Sequence, residues 1–169
     1  GNGDILSFTT QNSTGLMDTA NITVTPNYNG CDGPSVSFQI IITPILQVDP
    51  VPSDDFCAGV DFMGVIFTGN VLTTVYEWTN DNTSIGLASS GTGNISGFTL
   101  ENSGTVDQIA TITVNPVLPG CTGISEVFTI TVKPVPTVAV LPLTQELCHD
   151  EPTLPVDFSG NIATADYDW

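Results

Sequence analysis

The chain repeats itself with a period of 90 to 91 residues, and this repeat limits the possible folds more than any other feature. Blocks of similar sequence return in the same order: 20–31 as 110–121, 37–44 as 127–134, 67–70 as 158–161, and 76–78 as 167–169. A fixed period of this length is typical of chains that are built from copies of one structural unit.

The phase of the repeat divides the chain into three segments. Residues 45–134 form one complete unit, residues 1–44 match the C-terminal half of a preceding unit, and residues 135–169 match the N-terminal part of a further unit. Half-built sandwiches would leave sheet edges open, which natural proteins avoid. We therefore expect the outer segments either to belong to a longer array or to be completed by neighbouring copies, head to tail in a fibre.

Alternating apolar and polar residues predict β-strands throughout the complete unit. The predicted strands are 46–48, 60–67 with a bulge at Gly64, 75–78, 95–100, 109–114 and 126–132, with a hairpin loop over 116–123. Ala110, Ile112 and Val114 alternate with threonines and should face the core, as should Phe128, Ile130 and Val132. No segment has a helical period. Short strands with a tryptophan on the third, Trp78, predict an all-β fold of tandem immunoglobulin-like β-sandwiches.

Charge and composition exclude several function classes. Eighteen acidic residues and a single basic one, Lys133, give a net charge of −17, which rules out a phosphate-binding surface for nucleic acid. The same charge rules out electrostatic docking on an anionic membrane. With one histidine, His149, and no Gly-x-Ser-x-Gly motif, the sequence offers no active site, and we predict a non-catalytic protein without cofactors.

Several short motifs together resemble a known family. They are Phe56-Cys-Ala-Gly, Tyr76-Glu-Trp, Ala110-Thr-Ile-Thr-Val-Asn-Pro, Gly120-Cys-Thr-Gly and Thr129-Ile-Thr-Val-Lys-Pro. In this combination the chain resembles the PKD-like, immunoglobulin-like tandem repeats of large cell-surface and secreted proteins of Bacteroidetes. The resemblance implies a β-sandwich, export to the cell surface and a role as an adhesin stalk or fibre. It implies no catalytic residues.

The four cysteines occupy two equivalent positions of the repeat. Cys31 matches Cys121, and Cys57 matches Cys148. No Cys-x-x-Cys spacing indicates a zinc site, and an exported protein would be expected to oxidise its cysteines to disulfides. Two pairings stay open: Cys57 with Cys121 inside one unit, or Cys57 with the hairpin cysteine of the following unit across the junction.

Acidic and hydroxyl residues supply weaker candidates. Asp49, Asp54 and Asp55 lie near a unit boundary and are weak candidates for calcium ligands, although the group does not return in the next unit. Four Asn-x-Ser/Thr sequences mark possible N-glycosylation, at Asn12, Asn21, Asn82 and Asn94. Thr19, in Asp18-Thr19-Ala20, resembles an O-glycosylation motif of the same bacterial group.

The leading function hypothesis is a structural repeat segment of an extracellular adhesin stalk or filament. Its expected partners are neighbouring repeats or copies of itself, and its expected location is the cell surface. One alternative is an adhesin module that binds carbohydrate or a surface directly. Another is an accessory domain of a secreted enzyme. Tyr76 and Trp78 could stack on a sugar, but their position on a central strand favours the core.

Overall fold

The computed structural model describes residue 1 and residues 3–169, and the protein is all-β, as predicted. One turn of 3₁₀ helix, Thr83–Ile85, is the helical structure found in these residues. The strands in chain order are β1 (Asp18–Val24), β2 (Asn27–Tyr28), β3 (Cys31–Asp32), β4 (Val36–Ile42), β5 (Asp54–Cys57), β6 (Asp61–Val65), β7 (Val75–Asn80), β8 (Ser90–Thr92), β9 (Ile95–Thr99), β10 (Gln108–Leu118), β11 (Cys121–Thr122), β12 (Glu126–Lys133), β13 (Ala139–Leu141) and β14 (Asp157–Ser159).

The largest sheet has the order β5-β12-β10-β7-β8, with the short β11 also paired to β10. β5 runs parallel to β12, whereas the other pairs are antiparallel. Strict alternation along β10 and β12 turns one face of both strands inward, because successive side chains point to opposite faces of a sheet. All six residues predicted to face the core are buried, as expected from this pattern.

A second sheet, β6-β9, contributes side chains to the same core. Aromatic contacts hold this region together: the rings of Phe62 and Phe98 lie 5.5 Å apart, and those of Phe67 and Phe128 lie 6.5 Å apart. Tyr76 and Trp78 are buried in the core, so they are not available to stack on a carbohydrate. Every buried hydrophobic side chain of the described residues falls between Leu46 and Val132.

Three strand predictions need correction. β10 continues through Pro116, which pairs with Tyr76, so the hairpin loop is shorter than predicted. Proline is tolerated there because β12 pairs with β10 only as far as Val114. Residues 46–48 contribute only an isolated bridge, Val48 with Gly69, because the N–H of Gln47 donates to the side chain of Asn70.

Gly64 is not a bulge, since the β6-β9 register is unchanged on both of its sides. Its backbone has φ of +88°, and an added Cβ would overlap the carbonyl oxygen of Ile95. Glycine is therefore required here for close approach of two strands.

Besides the two-residue β11, two strands of the complete unit were not predicted from the sequence. β5 carries Asp54 and Asp55, and β8 is Ser-Gly-Thr, so neither shows an apolar alternation. β5 is held by parallel pairing to β12, and Gly91 of β8 packs beneath the indole of Trp78, where an added Cβ would overlap the ring. Both strands depend on their neighbours rather than on their own pattern.

Candidate functional site

Several side-chain hydrogen bonds of the complete unit recur in the outer segments with the spacing of the sequence repeat. Asn102 donates from Nδ2 to the carbonyls of Val106 (2.9 Å) and Val132 (2.7 Å). The same two bonds occur 90 residues earlier, from Asn12 to the carbonyls of Leu16 (2.6 Å) and Ile42 (2.7 Å). The β1-β4 register likewise repeats the β10-β12 register.

Residues after 134 repeat the start of the complete unit in the same way. Asn70 accepts from the N–H of Gln47 and donates to the carbonyl of Ile45. Asn161 makes the corresponding bonds with Thr137 and Val135. The Phe67–Tyr76 ring pair, at 5.7 Å, returns as Phe158–Tyr167 at 5.8 Å. Sequence reasoning missed these asparagines, although their identical positions in both copies were a usable signal.

The β1-β4 pair exposes an apolar face that its counterpart buries. Phe38 is 43% exposed, whereas the equivalent Phe128 is 2% exposed. Val24 is 51% exposed, whereas the equivalent Val114 is fully buried. We call this surface the upstream face, formed by Ile22, Val24, Phe38, Ile40 and Ile42. It has the composition of half a sandwich core.

Residues 135–169 expose a second apolar surface, which we call the downstream face, formed by Val140, Phe158, Tyr167 and Trp169. Trp169 is fully exposed, whereas its counterpart Trp78 is 8% exposed. Phe158 is 38% exposed, against 5% for Phe67. The two faces correspond to the two sides of the covered core in residues 45–134.

All four cysteines are exposed free thiols. Cys57 pairs in register with Lys133 at one end of β12, which we call the downstream end of the unit. Cys121 pairs with Leu118 at the far end of β10, which we call the upstream end. The eleven residues of β10 between these ends span about 36 Å at ~3.3 Å per residue.

A disulfide needs Cα atoms within about 7 Å. The pairing of Cys57 with Cys121 inside one unit is therefore incompatible with the structure. The upstream end also holds Leu46, whose carbonyl accepts from the N–H of Ile124 at 2.9 Å. The chain thus enters the unit beside Cys121 and leaves it, after Lys133, beside Cys57.

The three calcium candidates do not converge. Asp49 accepts a hydrogen bond from the hydroxyl of Thr68, at 2.6 Å. The side chain of Asp54 accepts one from the backbone N–H of its neighbour Asp55, at 2.9 Å. Asp55 forms an ion pair with Lys133, at 2.9 Å. No group of three acidic, histidine or cysteine side chains is placed to hold a metal among residues 1 and 3–169. The structure does not support a calcium site at these residues.

The ion pair has the expected electrostatic consequence. The hydrogen bond from Lys133 lowers the pKa of Asp55, and the same bond raises the pKa of Lys133. Hydrogen bonds from Thr111, whose backbone N–H lies 2.6 Å from the carboxylate, lower the pKa of Asp81. Burial, and secondarily the carboxylate of Asp49, raises the pKa of Tyr76. These shifts belong to structural contacts and do not mark a catalytic centre.

The glycosylation candidates fall into two groups. Asn12 and Asn82 each donate from Nδ2 to two acceptors and accept from a backbone N–H two residues later, as in an Asx turn. In these two Asn-x-Ser/Thr sequences the asparagine side chain therefore stabilises the local turn. Thr19, Asn21 and Asn94 are exposed. Of these, Asn21 and Asn94 use their side-chain oxygens as acceptors, from Gln39 and Phe67 respectively.

His149 is almost fully exposed, and its Nε2 lies 3.4 Å from a carboxylate oxygen of Asp150. Among the described residues no helix has the length and apolarity needed to cross a membrane.

Comparisons with protein families, with curated proteins and with solved structures found no match to this chain. The resemblance to PKD-like repeats therefore remains a prediction from the motifs.

Proposed function

We propose that this chain is a structural segment of an extracellular adhesin stalk or filament, built from immunoglobulin-like sandwiches in tandem and without catalytic activity. The observation that carries the proposal is the recurrence of whole hydrogen-bond sets, such as those of Asn12 and Asn102, at the spacing of 90 residues. Repeated sequence that makes repeated contacts favours a protein whose unit is the functional element.

The strand arrangement supports the immunoglobulin-like part of the proposal. One sheet has β5, β12, β10, β7 and β8, and the other has β6 and β9. Parallel pairing of a first-half strand with the last strand, and a buried tryptophan on the strand next to β10, are expected features of that fold. In this arrangement the chain enters and leaves at opposite ends, as a linear array requires.

The charge supports a role in a long exposed polymer. A net charge of −17 keeps neighbouring fibres apart and protects the many exposed strands from edge-to-edge aggregation. Direct ligand binding is less well supported: residues 45–134 form no metal-binding cluster, and their aromatic side chains lie in the core or pack against it.

The cysteine positions support covalent junctions between units. At a junction, the downstream end of one unit, with a cysteine like Cys57, meets the upstream end of the next, with a cysteine like Cys121. Two thiols would lose two protons and two electrons to a small-molecule or protein disulfide, which is reduced in exchange. Thiol titration of the native material without reductant is expected to find no free cysteine, and four titratable thiols per chain would contradict these junctions.

Electron microscopy of the native material tests the fibre itself. We expect unbranched fibres with an axial repeat of ~40 Å, since β10 alone spans about 36 Å. Discrete particles without an axial repeat would refute the structural role. Binding of the full chain to one glycan class on an array, in the absence of fibres, would instead favour the carbohydrate-binding alternative.

A further inference from the structure

We propose that the outer face of the large sheet is a lateral contact between two copies of this chain, through which they pack side by side. The outer face consists of the outward residues of β5, β12, β10, β7 and β8, on the side opposite the core. Its centre is formed by Ile109, Thr111 and Thr113 of β10 and by Val127, Thr129 and Thr131 of β12. The inference goes beyond the proposed function, because it concerns contacts between stalks rather than along one stalk.

The outer face carries little charge in a chain of net charge −17. Of the 18 acidic residues, only Asp55 and Glu77 occupy outward positions of these five strands. The single lysine of the chain, Lys133, lies on the same face and forms an ion pair with Asp55 at 2.9 Å. Two acidic residues and one lysine leave this face with a net charge of −1, so nearly all of the negative charge lies elsewhere on the chain.

This distribution of charge indicates which partner fits the outer face. A basic partner would bind the acidic parts of the surface rather than an almost neutral sheet, because complementary charge steers association. Two copies of the chain repel each other through most of their surface, and they can approach closely where the charge is missing. The partner with an equally neutral and flat surface is a second copy, which gives a contact of one patch with itself.

Polar side chains at the outer face make hydrogen bonds to one another. Ser125 donates to the side chain of Asn115, its neighbour across the β10-β12 hairpin. On the corresponding face of β1 and β4, the hydroxyls of Thr23 and Ser37 lie 2.8 Å apart. Groups that keep their hydrogen-bond partners cost less to bury than groups that only lose water. These pairs favour sheet against sheet over a carbohydrate, which would need free donors and acceptors.

The same uncharged face recurs one repeat earlier. Its outward residues on β1 and β4 are Thr19, Asn21, Thr23, Ser37, Gln39 and Ile41. The chain enters the complete unit beside Cys121 and leaves it beside Cys57, so further units along the chain attach at the ends of the sheet and not on the outer face. Two stalks side by side can therefore repeat the contact at each unit.

The size of the outer face predicts a weak contact for each unit. At ~3.3 Å per residue and ~4.8 Å between strands, the five strands cover about 500 Å², and β1 with β4 adds about 200 Å². A stable interface buries about 800 Å² on each partner. One chain is near this limit, whereas several units in a row would gain from simultaneous contacts.

Sedimentation velocity of the full chain, in reductant, tests the association and its response to salt. Because the remaining acidic residues oppose the contact, screening should strengthen it. We expect a monomer–dimer equilibrium whose dissociation constant falls at least tenfold between about 0.02 M and about 0.5 M sodium chloride. A chain that stays monomeric in high salt, or that associates less there, would overturn the proposal.

Two variants with the same added charge locate the contact. Val127→Glu places a carboxylate at the centre of the outer face, where Val127 is 54% exposed. Ser96→Glu places one on β9, in the other sheet, where Ser96 is exposed. Val127→Glu should raise the dissociation constant at least tenfold, and Ser96→Glu should change it less than twofold. Equal effects of the two variants would refute a contact at this face.

Emission of the buried Trp78 shows whether each variant is folded. Should Val127→Glu unfold the unit, Thr79→Glu is the second test, since Thr79 is exposed on β7 and pairs with Thr113. The same tenfold weakening is expected from it. Association of Thr79→Glu like the parent chain would contradict the proposal.

NMR of the parent chain at increasing concentration shows which residues take part. Amide signals of β10, β12 and β7 should shift with concentration, while those of β6 and β9 should not. Shifts confined to the upstream and downstream faces would assign the association to those apolar surfaces and overturn the proposal. A neutral glucan oligosaccharide that shifts the β10 and β12 signals and dissociates the dimer would assign the outer face to carbohydrate instead.

These experiments separate the lateral contact from the structural role. Native fibres with an axial repeat, together with a chain that does not associate through the outer face, refute the contact and leave the role intact. Absence of fibres in the native material, together with association that Val127→Glu weakens, refutes the role and supports the contact.

Discussion

Phe128 and Phe38 occupy the same position of the repeat, one in a covered face and one in an open face. Phe128 is 2% exposed and contacts the ring of Phe67, whereas Phe38 is 43% exposed. Phe128→Ala removes a fully packed ring and leaves a cavity. Phe38→Ala removes a ring that water already reaches.

The expected losses differ because cavity formation adds to the loss of apolar burial. Phe128→Ala should reduce the free energy of unfolding of the complete unit by ~4 kcal/mol, as is typical for a buried phenylalanine. Phe38 is about half buried, so Phe38→Ala should cost about 1 kcal/mol, and only in the β1-β4 pair. The complete unit should keep its stability in the Phe38 variant.

Urea unfolding followed by tryptophan emission measures this difference. The chain has two tryptophans, and only Trp78 is buried, so loss of the blue-shifted emission reports on the complete unit. At a slope of ~1–2 kcal/mol per molar urea, Phe128→Ala should lower the midpoint by ~2–4 M. A shift below 0.5 M on this scale, or equal shifts for both variants, would refute the assignment of a covered and an open face.

Three further predictions concern single contacts. Gly91→Ala should destabilise the complete unit by ~2 kcal/mol or more, because the added methyl overlaps the Trp78 ring; Gly93→Ala, in open space at φ of +79°, should cost only ~1 kcal/mol in the same urea assay. Asn80→Ala should cost ~1–3 kcal/mol, because the buried amide donates to the backbone carbonyls of residues 82, 87 and 88, and a wild-type midpoint would contradict this role. The lowered pKa of Asp55 means that its ion pair stabilises the fold above the ordinary carboxyl pKa and that this contribution is lost as the pH falls through the folded value. Lys133→Gln should raise the pKa of Asp55 in an NMR titration, and an unchanged titration would show that the ion pair does not cause the shift.

Features that depend on one strand at a time could be predicted from the amino-acid order alone. Alternation in β10 and β12 identified the inward residues, including Ile112 and Phe128, because a side chain's face in a strand follows from its position alone. The repeat of 90 to 91 residues likewise predicted which segments are equivalent, and in the structure the equivalent Asn12 and Asn102 make corresponding hydrogen bonds.

Which strands are neighbours, and which ends they share, became known only from the folded arrangement of the chain. Asp54 and Asp55 form an edge strand because β12 offers its open side, a choice that no local pattern encodes. The same parallel pairing puts Cys57 about 36 Å from Cys121, so the two cysteines of one unit lie at opposite ends of the sheet. The alternation of apolar and polar residues is a local property of the chain. The partners of a strand and the position of a sheet edge arise instead from contacts between residues far apart in sequence.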